Sequence, residues 1–205
     1  MLNVLLLGAT GTAGSALAEK LMADTGCHVT LFARHMDGVK AEQGNVTVIS
    51  GDAAKASDLK GAMEGQDVVY SAISGEQLPA IAENLVNVMS ECGVKRLIFM
   101  GAVGIYNELP IGNGAEYNVD NEPPQVPNRK AVDVVEASSL NYTILRPGFL
   151  QDGDEDDFVL TLKGEAAKGY VTTIPSVIKL AVSLIHDETL YARESVSITK
   201  DMSRN

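Results

Sequence analysis

The stretch that decides the fold is Leu5-Leu6-Leu7-Gly8-Ala9-Thr10-Gly11-Thr12-Ala13-Gly14. An apolar run ends at Gly8, and from Ala13 to Leu21 an apolar residue then recurs every four positions. This change of period predicts a buried strand, a tight turn and an amphipathic helix. In such a turn Gly8 permits the reversal of the chain, Gly11 lets a ligand approach the backbone, and Gly14 lets helix and strand pack closely.

The start of the predicted helix offers a binding site for an anion. Its first backbone N–H groups have no partner within the helix, and the helix dipole adds positive charge there. No acidic side chain occurs between Gly8 and Glu19 to repel a phosphate. No Gly-Lys-Ser/Thr follows, so the turn favours a dinucleotide over a nucleoside triphosphate, with a plain tight turn as the alternative. The residues assigned to the dinucleotide on this basis are Gly8, Thr10, Gly11, Thr12, Ala13 and Gly14.

The end of the second predicted strand distinguishes between the two nicotinamide cofactors. NAD sites place an Asp or Glu there for the ribose hydroxyls, whereas an Arg accommodates the 2′-phosphate of NADP. This chain has Arg34 at that position, followed by His35, which we interpret as a surface residue. A guanidinium can bind a phosphate through two parallel hydrogen bonds. The sequence therefore favours NADP over NAD, with an exposed strand-end arginine as the alternative interpretation.

Length and charge restrict the class of protein further. The 205 residues suit one domain, which we predict to span 1–205 with a small substrate-side region near its carboxyl end. A formal net charge of −11 argues against a nucleic-acid partner, which requires clustered Lys and Arg. No apolar run is long enough to span a membrane, and residues 2–7 lack the basic lead-in of a signal peptide. We therefore expect a cytoplasmic protein with no membrane partner.

The cysteines and histidines suggest no additional site. Cys27 and Cys92 lie 65 residues apart in apolar segments. A disulfide framework or a metal knuckle requires more cysteines at closer spacing, so we expect buried free thiols and no metal. His28 and His186 show no pattern of partners that would indicate catalysis.

Short strand-like runs alternate with longer helical patterns, which is typical of a parallel sheet covered on both faces. The predicted strands are Asn3–Leu7, His28–Ala33, Val46–Ser50, Asp67–Ala72, Arg96–Met100, Tyr142–Leu145 and Ser195–Thr199. The predicted helices are Thr12–Asp24, Ser57–Met63, Gln77–Glu91, Asn128–Ser139 and Ser176–His186. We predict strict alternation over about the first hundred residues, and hence a doubly wound parallel α/β fold of the Rossmann type with three layers. Ligands of such folds bind beyond the carboxyl ends of the strands.

Two segments interrupt this alternation. Residues 105–127 are rich in Pro, Gly and Asn without a clear period, and residues 152–157 contain five acids in six positions. Both follow predicted strands, so both could border the ligand site. The acidic segment could bind a divalent cation, but its spacing matches no known loop, and we interpret it as a solvated turn.

Several stretches resemble the atypical short-chain dehydrogenase/reductases, specifically the NmrA-like, NAD(P)H-binding group with its flavin-reductase-like members. The resemblance covers nearly the whole chain and rests on Gly8–Gly14, Arg34, Ser50-Gly51-Asp52, Gly65-Gln66-Asp67-Val68-Val69 and Asn141-Tyr142-Thr143-Ile144-Leu145-Arg146-Pro147-Gly148. It implies three pairs of cofactor contacts: Asp52 and Ala53 at the adenine, Ala72 and Ile73 on the ribose side, and Pro147 and Gly148 near the nicotinamide. For Asp52, a helix N-cap is the competing role.

The chain departs from the catalytic pattern of the family that it resembles. Catalytic members carry a Ser after the fifth strand and a Tyr four residues before a Lys, and that Tyr acts as general acid/base. Here residues 99–104 contain neither Ser nor Thr, and Val126 stands four residues before Lys130. Lys130 could still hold the nicotinamide ribose, or it could be an exposed residue that pairs with Asp133. The usual proton donor is therefore missing.

Two tyrosines in segment 105–127 could replace that donor. Tyr106 and Tyr117 follow the fifth strand, where the acceptor should bind. A tyrosine with a pKa of about 10 needs a neighbouring cation, such as Lys130, to work at neutral pH. We name Tyr106 and Lys130 as the candidate catalytic residues, with a pocket wall or a loop anchor as the alternative role of either tyrosine.

Three functions fit these residues. The first is hydride transfer from NADPH to a small-molecule acceptor such as a flavin or a quinone, which can take its proton from water. The second is a non-catalytic NADP(H) sensor, like the NmrA-like regulators, whose bound cofactor orders a surface for a regulatory protein partner. The third is a sugar-nucleotide epimerase or dehydratase, whose chemistry needs the missing Tyr. We favour the reductase.

Overall fold

The computed structural model describes residues 1–39 and 44–203. Its strands are β1 (Leu2–Leu7), β2 (Cys27–Ala33), β3 (Val46–Ser50), β4 (Val68–Ser71), β5 (Arg96–Met100), β6 (Asn141–Pro147), β7 (Phe149–Gln151), β8 (Val159–Leu162), β9 (Val171–Thr173) and β10 (Glu194–Thr199). Its helices are α1 (Thr12–Met22), α2 (Ala56–Met63), α3 (Leu78–Cys92), α4 (Val126–Glu136) and α5 (Ile174–His186). Single 3₁₀ turns occupy Ala115–Tyr117 and Pro123–Gln125. None of the described helices combines the length and the apolar character needed to cross a bilayer.

Eight strands form the main sheet in the order β3-β2-β1-β4-β5-β6-β10-β8. Neighbouring strands run parallel, except that β8 pairs antiparallel with β10 at one edge. The order reverses between β1 and β4, because the chain builds outward to β3 and then returns to the other side of β1. The doubly wound α/β fold predicted from the sequence is confirmed.

Two hydrophobic layers bury the sheet between helices. Leu5 and Leu7 of β1 belong to the layer under α2, α3 and α4, whereas Val4 and Leu6 belong to the layer under α1 and α5. Successive side chains of a strand point to opposite faces, so an unbroken apolar run is what a strand covered on both faces requires. The apolar stripes predicted for α1 and α3 are buried against these layers.

Between β2 and β3 the described residues contain no helix, which departs from the strict alternation predicted for the first hundred residues. Residues 34–39 form a bend, a turn and irregular backbone, and residues 40–43 lie outside the described residues. Twelve residues separate Ala33 from Val46. A connection of this length can return the chain to a parallel neighbour without a helix.

The sequence does not predict β7, β8 or β9, because three or four residues are too few to show a period of two. Strands β7 and β9 pair in a separate parallel ribbon. The acidic segment 152–157 joins β7 to β8 and is exposed. Lysines neutralise part of it, since Lys179 pairs with Asp156 and Lys200 Nζ lies 2.6 Å from Asp157 Oδ2. These contacts agree with a solvated turn.

Candidate functional site

A cavity of about 460 Å³ opens at the carboxyl ends of β1, β2, β3 and β4, where the strand order reverses. Its size falls within the range that is typical of small-molecule sites. Eight of the predicted cofactor residues line it: Gly8, Thr10, Gly11, Arg34, Asp52, Ala53, Ala72 and Ile73. The ends of four strands therefore bring together residues that the chain distributes over separate loops.

The glycine turn permits the close contact between β1 and α1. Gly8 has a φ of +79°, in the left-handed region that favours glycine. A methyl group on Gly14 would lie 2.0 Å from the Gly8 carbonyl oxygen. Only glycine therefore allows α1 to begin this close to the end of the strand.

The first turn of α1 offers backbone groups rather than side chains. Gly11 occupies the N-cap position in an extended conformation, and no side chain caps the helix. Thr12, Ala13 and Gly14 form the first turn and are not part of the cavity lining, and Ala13 and Gly14 are buried. Their contribution to cofactor binding, which stays a prediction, would come from backbone N–H groups.

Arg34 follows the last residue of β2, and its side chain is exposed at the rim of the cavity. Within residues 1–39 and 44–203, no salt bridge ties its guanidinium to an acid. His35 is also exposed and lines the same cavity. The guanidinium is therefore available to an anionic ligand at this end of the cavity.

Asp52 shapes the loop after β3. Its carboxylate accepts a hydrogen bond from the Ala54 N–H at 3.0 Å, and its own N–H donates to the Asp58 carboxylate at 3.0 Å. Lys55 occupies the N-cap of α2, and no side chain caps that helix. Asp52 is therefore not the N-cap of α2 itself, but its carboxylate caps the turn that follows it and leads into that helix, and its contact with the adenine stays a prediction.

The cavity also has lining residues that the sequence analysis does not identify. They are Phe32, Ala33, Gly51, Ser74, Gly75, Glu76, Gln77 and Ile81. Residues 74–77 directly follow Ala72 and Ile73, so their place after a central strand is a signal that could have identified them. Phe32 gives no such signal, because an apolar residue within β2 reads as core; its ring packs against Gly51, where a methyl group would lie 2.5 Å from the ring.

A second cavity, of about 100 Å³, lies at the carboxyl ends of β5 and β6. Pro147 and Gly148, which the resemblance places near the nicotinamide, both line it. Because β5 is the neighbour of β4 in the sheet, the two cavities succeed one another along the same edge. This cavity has further lining residues: Ala102, Val103, Tyr117, Gln125, Phe149 and Tyr170.

Three aromatic rings form one wall of the second cavity. The centroid of the Tyr117 ring lies 4.8 Å from that of Phe149, edge to face, and 5.1 Å from that of Tyr170. Phe149 is 58% exposed, so its ring is accessible from solvent. We call Tyr117, Phe149 and Tyr170 the aromatic wall.

Gly148 permits the close packing that holds this wall in place. A methyl group there would lie 2.3 Å from the Tyr170 carbonyl oxygen. The Gly148 N–H donates to Thr172 Oγ1 at 2.7 Å, and the Phe149 N–H donates to the Tyr170 carbonyl at 2.8 Å. The end of β6 is thus joined to the segment that carries Tyr170.

Tyr106 lies outside both cavities. Its hydroxyl donates to Glu136 Oε1 at 2.8 Å and lies 3.2 Å from Ser195 Oγ. Three cations lie 4.6–4.9 Å from the centroid of its ring: Arg129, Arg146 and Lys163. Burial raises the pKa of Tyr106 well above its ordinary value. The structure thus corrects the prediction of a catalytic Tyr106, because the hydroxyl is bonded within a packed polar cluster away from the cavities.

Lys130 is exposed on α4 and lines neither cavity. Of its alternative role, the exposure is seen but the pairing with Asp133 is not, because Asp133 pairs with Arg129 on the same helix. Contact between Lys130 and the nicotinamide ribose stays a prediction. Of the two tyrosines considered in segment 105–127, Tyr117 is the one that reaches a cavity.

Comparisons with known proteins identify the family and the fold. Residues 8–188 match the protein family described as NAD(P)H-binding. A Rossmann-fold NAD(P)-binding family protein from Shigella flexneri is 36% identical over 98% of this chain and 95% of its own, with a TM-score of 0.84. A short-chain dehydrogenase/reductase from Veillonella parvula, solved in complex with NADP, is 25% identical over 100% of this chain and 97% of its own, with a TM-score of 0.88.

A more distant structure shows the fold alone. It is ChuY, described as an anaerobilin reductase from Escherichia coli O157:H7, which is 24% identical over 98% of each chain, with a TM-score of 0.83. No curated protein matches the sequence. The chain belongs to the NAD(P)H-binding family of Rossmann-fold proteins, and it matches short-chain dehydrogenase/reductases in structure along its whole length.

Proposed function

We propose that the protein is an NADPH-dependent reductase that passes a hydride to a flat, conjugated small molecule held against the aromatic wall. The observation that carries this proposal is the succession of two cavities along one edge of the sheet. One has a glycine turn and a guanidinium that forms no salt bridge within the described chain, and the next has three aromatic rings.

The first cavity suits the nucleotide end of NADPH. The turn Gly8–Gly14 would hold the pyrophosphate, Asp52 and Ala53 would contact the adenine, and Ala72 and Ile73 would line the ribose side. Arg34 would bind the 2′-phosphate, because it is a cation on this cavity without an acidic partner in the described chain. The relative from Veillonella parvula was solved with NADP, which supports the same preference here.

The exposed aromatic wall at the second cavity suits the acceptor, which would lie against the rings because the cavity itself, of about 100 Å³, is smaller than a typical small-molecule site. Pro147 and Gly148 would lie at the nicotinamide, which supplies a hydride when NADPH is bound. The aromatic wall would orient a planar acceptor by stacking, which favours conjugated molecules over small aliphatic carbonyls. Water can reach this site because Phe149 is largely exposed. A reduced flavin or quinone could therefore take its proton from water, so that the usual tyrosine donor is not required.

NADPH oxidation tests the proposal. We would measure the decrease in NADPH absorbance with flavins, quinones and linear tetrapyrroles, the last because ChuY is described as an anaerobilin reductase. Phe149→Ala should raise the KM for the acceptor about 2- to 10-fold, since an aromatic pair contributes about 0.5–1.5 kcal/mol. Ile111→Ala is the control, because that side chain is 97% exposed and lies on neither cavity. NADPH binding without oxidation by any acceptor would refute a reductase.

A cofactor sensor is the second candidate. The observation that favours it is that Tyr106 and Lys130, the predicted catalytic residues, lie outside both cavities. A sensor that signals to a regulatory protein must distinguish NADPH from NADP⁺, since equal affinity shifts no equilibrium. Hydrogen exchange in segment 105–127 should then differ between the two cofactor states, whereas equal affinities and equal exchange would exclude this function.

A further inference from the structure

Three reactive side chains lie together at the amino ends of the strands, whereas both cavities open at the carboxyl ends. Asp24 follows α1, Cys27 is the first residue of β2, and His186 is the last residue of α5. Six residue steps along β2 separate Cys27 from Ala33 at the cofactor cavity, a distance of about 20 Å at 3.3 Å per residue. The proposed reduction makes no use of this group.

The three side chains are close enough to share one metal ion. Cys27 Sγ lies 3.6 Å from Asp24 Oδ2 and 3.9 Å from His186 Nε2, and those two atoms lie 2.7 Å apart. Around tetrahedral zinc, bond lengths of about 2.3 Å to sulfur and about 2.0 Å to nitrogen or oxygen place sulfur about 3.5 Å from the other ligands. The sulfur distances already approach this value. The carboxylate–imidazole contact would have to open by only about 0.6 Å.

We propose that Asp24, Cys27 and His186 form a binding site for a divalent transition metal, with zinc as the favoured ion. Thiolate, imidazole and carboxylate are the ligand types that zinc combines in proteins. The side chains of His186 and Asp24 are 42% and 29% exposed, so an ion can enter and water can complete the fourth position. Cys27 closes the site from the buried side.

The surroundings orient the carboxylate ligand. The Gly26 N–H donates to Asp24 Oδ1 at 2.8 Å, which turns the other oxygen toward Cys27 and His186. A fixed outer hydrogen bond of this kind is typical of metal ligands.

Metal binding at this site must displace a proton. The Cys27 thiol donates a hydrogen bond to Asp24 Oδ2 at 3.6 Å in the free protein. As the metal–sulfur bond forms, the S–H bond breaks and its proton passes to water.

This site differs from the sequence prediction, which finds no metal-binding pattern around the two cysteines. The structure shows Cys27 buried and Cys92 half-buried, both as free thiols. His186 is 162 residues from Asp24 in the chain, so spacing could not reveal the group.

Cobalt and zinc titrations of the tag-free protein test the proposal. After treatment with a chelator and dialysis, the full chain should bind one equivalent of Co²⁺ with a thiolate-to-cobalt charge-transfer band that one equivalent of Zn²⁺ abolishes. Cys27→Ser should remove the band, and His186→Gln should weaken binding at least about tenfold. Cys92→Ser and His28→Gln are matched controls, a second free thiol and a histidine bonded to Thr47, and both should bind as the parent does.

The result that would overturn the proposal is equally specific. It fails if Co²⁺ gives no charge-transfer band, or if His186→Gln binds as tightly as the parent protein. Because Cys27 is buried and its variant could misfold, His186→Gln carries the test, and circular dichroism would confirm its fold. NADPH titration with and without metal separates this site from the reductase, since the two lie at opposite ends of the strands and should bind independently.

Discussion

Removal of the Arg34 guanidinium should weaken NADPH binding far more than NADH binding, because only NADPH carries a 2′-phosphate. Arg34 has no salt bridge to break within the described residues, so its full interaction is available to the ligand. A hydrogen bond to a charged group contributes about 1.5–3 kcal/mol. Because the side chain is exposed, water screens the interaction, and we expect the lower part of this range, about 1.5–2 kcal/mol. Arg34→Ala should therefore raise the Kd for NADPH about 10- to 30-fold.

Fluorescence titration with both cofactors measures this effect. Arg34→Lys keeps the charge but loses the two-pronged geometry, so its affinity for NADPH should lie between those of Arg34→Ala and the parent protein. Lys95→Ala removes an equal charge from an exposed position at the amino end of β5, and it should change neither affinity. Equal losses for NADPH and NADH in Arg34→Ala would refute the 2′-phosphate assignment.

Three further predictions concern the framework of the site. Gly14→Ala should abolish NADPH binding and lower the melting temperature, because its methyl group would lie 2.0 Å from a carbonyl oxygen of the turn. Its control, Gly61→Ala in α2, has open space around the new methyl group and should stabilise the fold by about 0.5–1 kcal/mol in urea unfolding. Glu108→Gln leaves the buried Arg146 without its ionised partner and should lower the free energy of unfolding by about 3–5 kcal/mol; an unchanged urea midpoint would contradict this. A hydrogen bond from a backbone N–H lowers the pKa of Asp58 below its ordinary value of 3.8, so its ionised form stabilises the fold above that pH. Urea unfolding from neutral pH to about pH 3 should therefore show a smaller acid loss of stability for Asp58→Asn than for the parent, and equal losses would contradict the sign.

Features that depend on contiguous residues could be predicted from the sequence. The turn Gly8–Gly14 and the buried stripe of α1 follow from contiguous residues, and both occur where the period of apolar residues indicates. The same reasoning failed between β2 and β3, where the chain crosses over with no helix among the described residues. It also failed at β7 and β9, whose three-residue pairing depends on contacts that a short run of sequence does not encode.

Tyr106 illustrates the limit for side chains. Its position after β5 suggested an acid at the acceptor, yet its hydroxyl bonds to Glu136 and Ser195, which come from distant elements. Tyr117, eleven residues further along the same segment, reaches the cavity instead. Segment 105–127 has no local period that would show which side chains face a ligand. Tertiary packing therefore decides which of its two tyrosines reaches the cavity.

The sequence by itself determined the strand–turn–helix at Gly8–Gly14 and the parallel sheet, and it predicted that the turn binds a dinucleotide and that Arg34 binds its 2′-phosphate. These features depend on glycine conformation, apolar period and the residue at a strand end, all of which are local. Only the tertiary structure decided the strand order, the aromatic wall beside Pro147, and the meeting of Asp24 and Cys27 with His186. Each of these three features consists of residues that are far apart in the chain. Such residues meet because the helices and loops pack to bury both faces of the sheet.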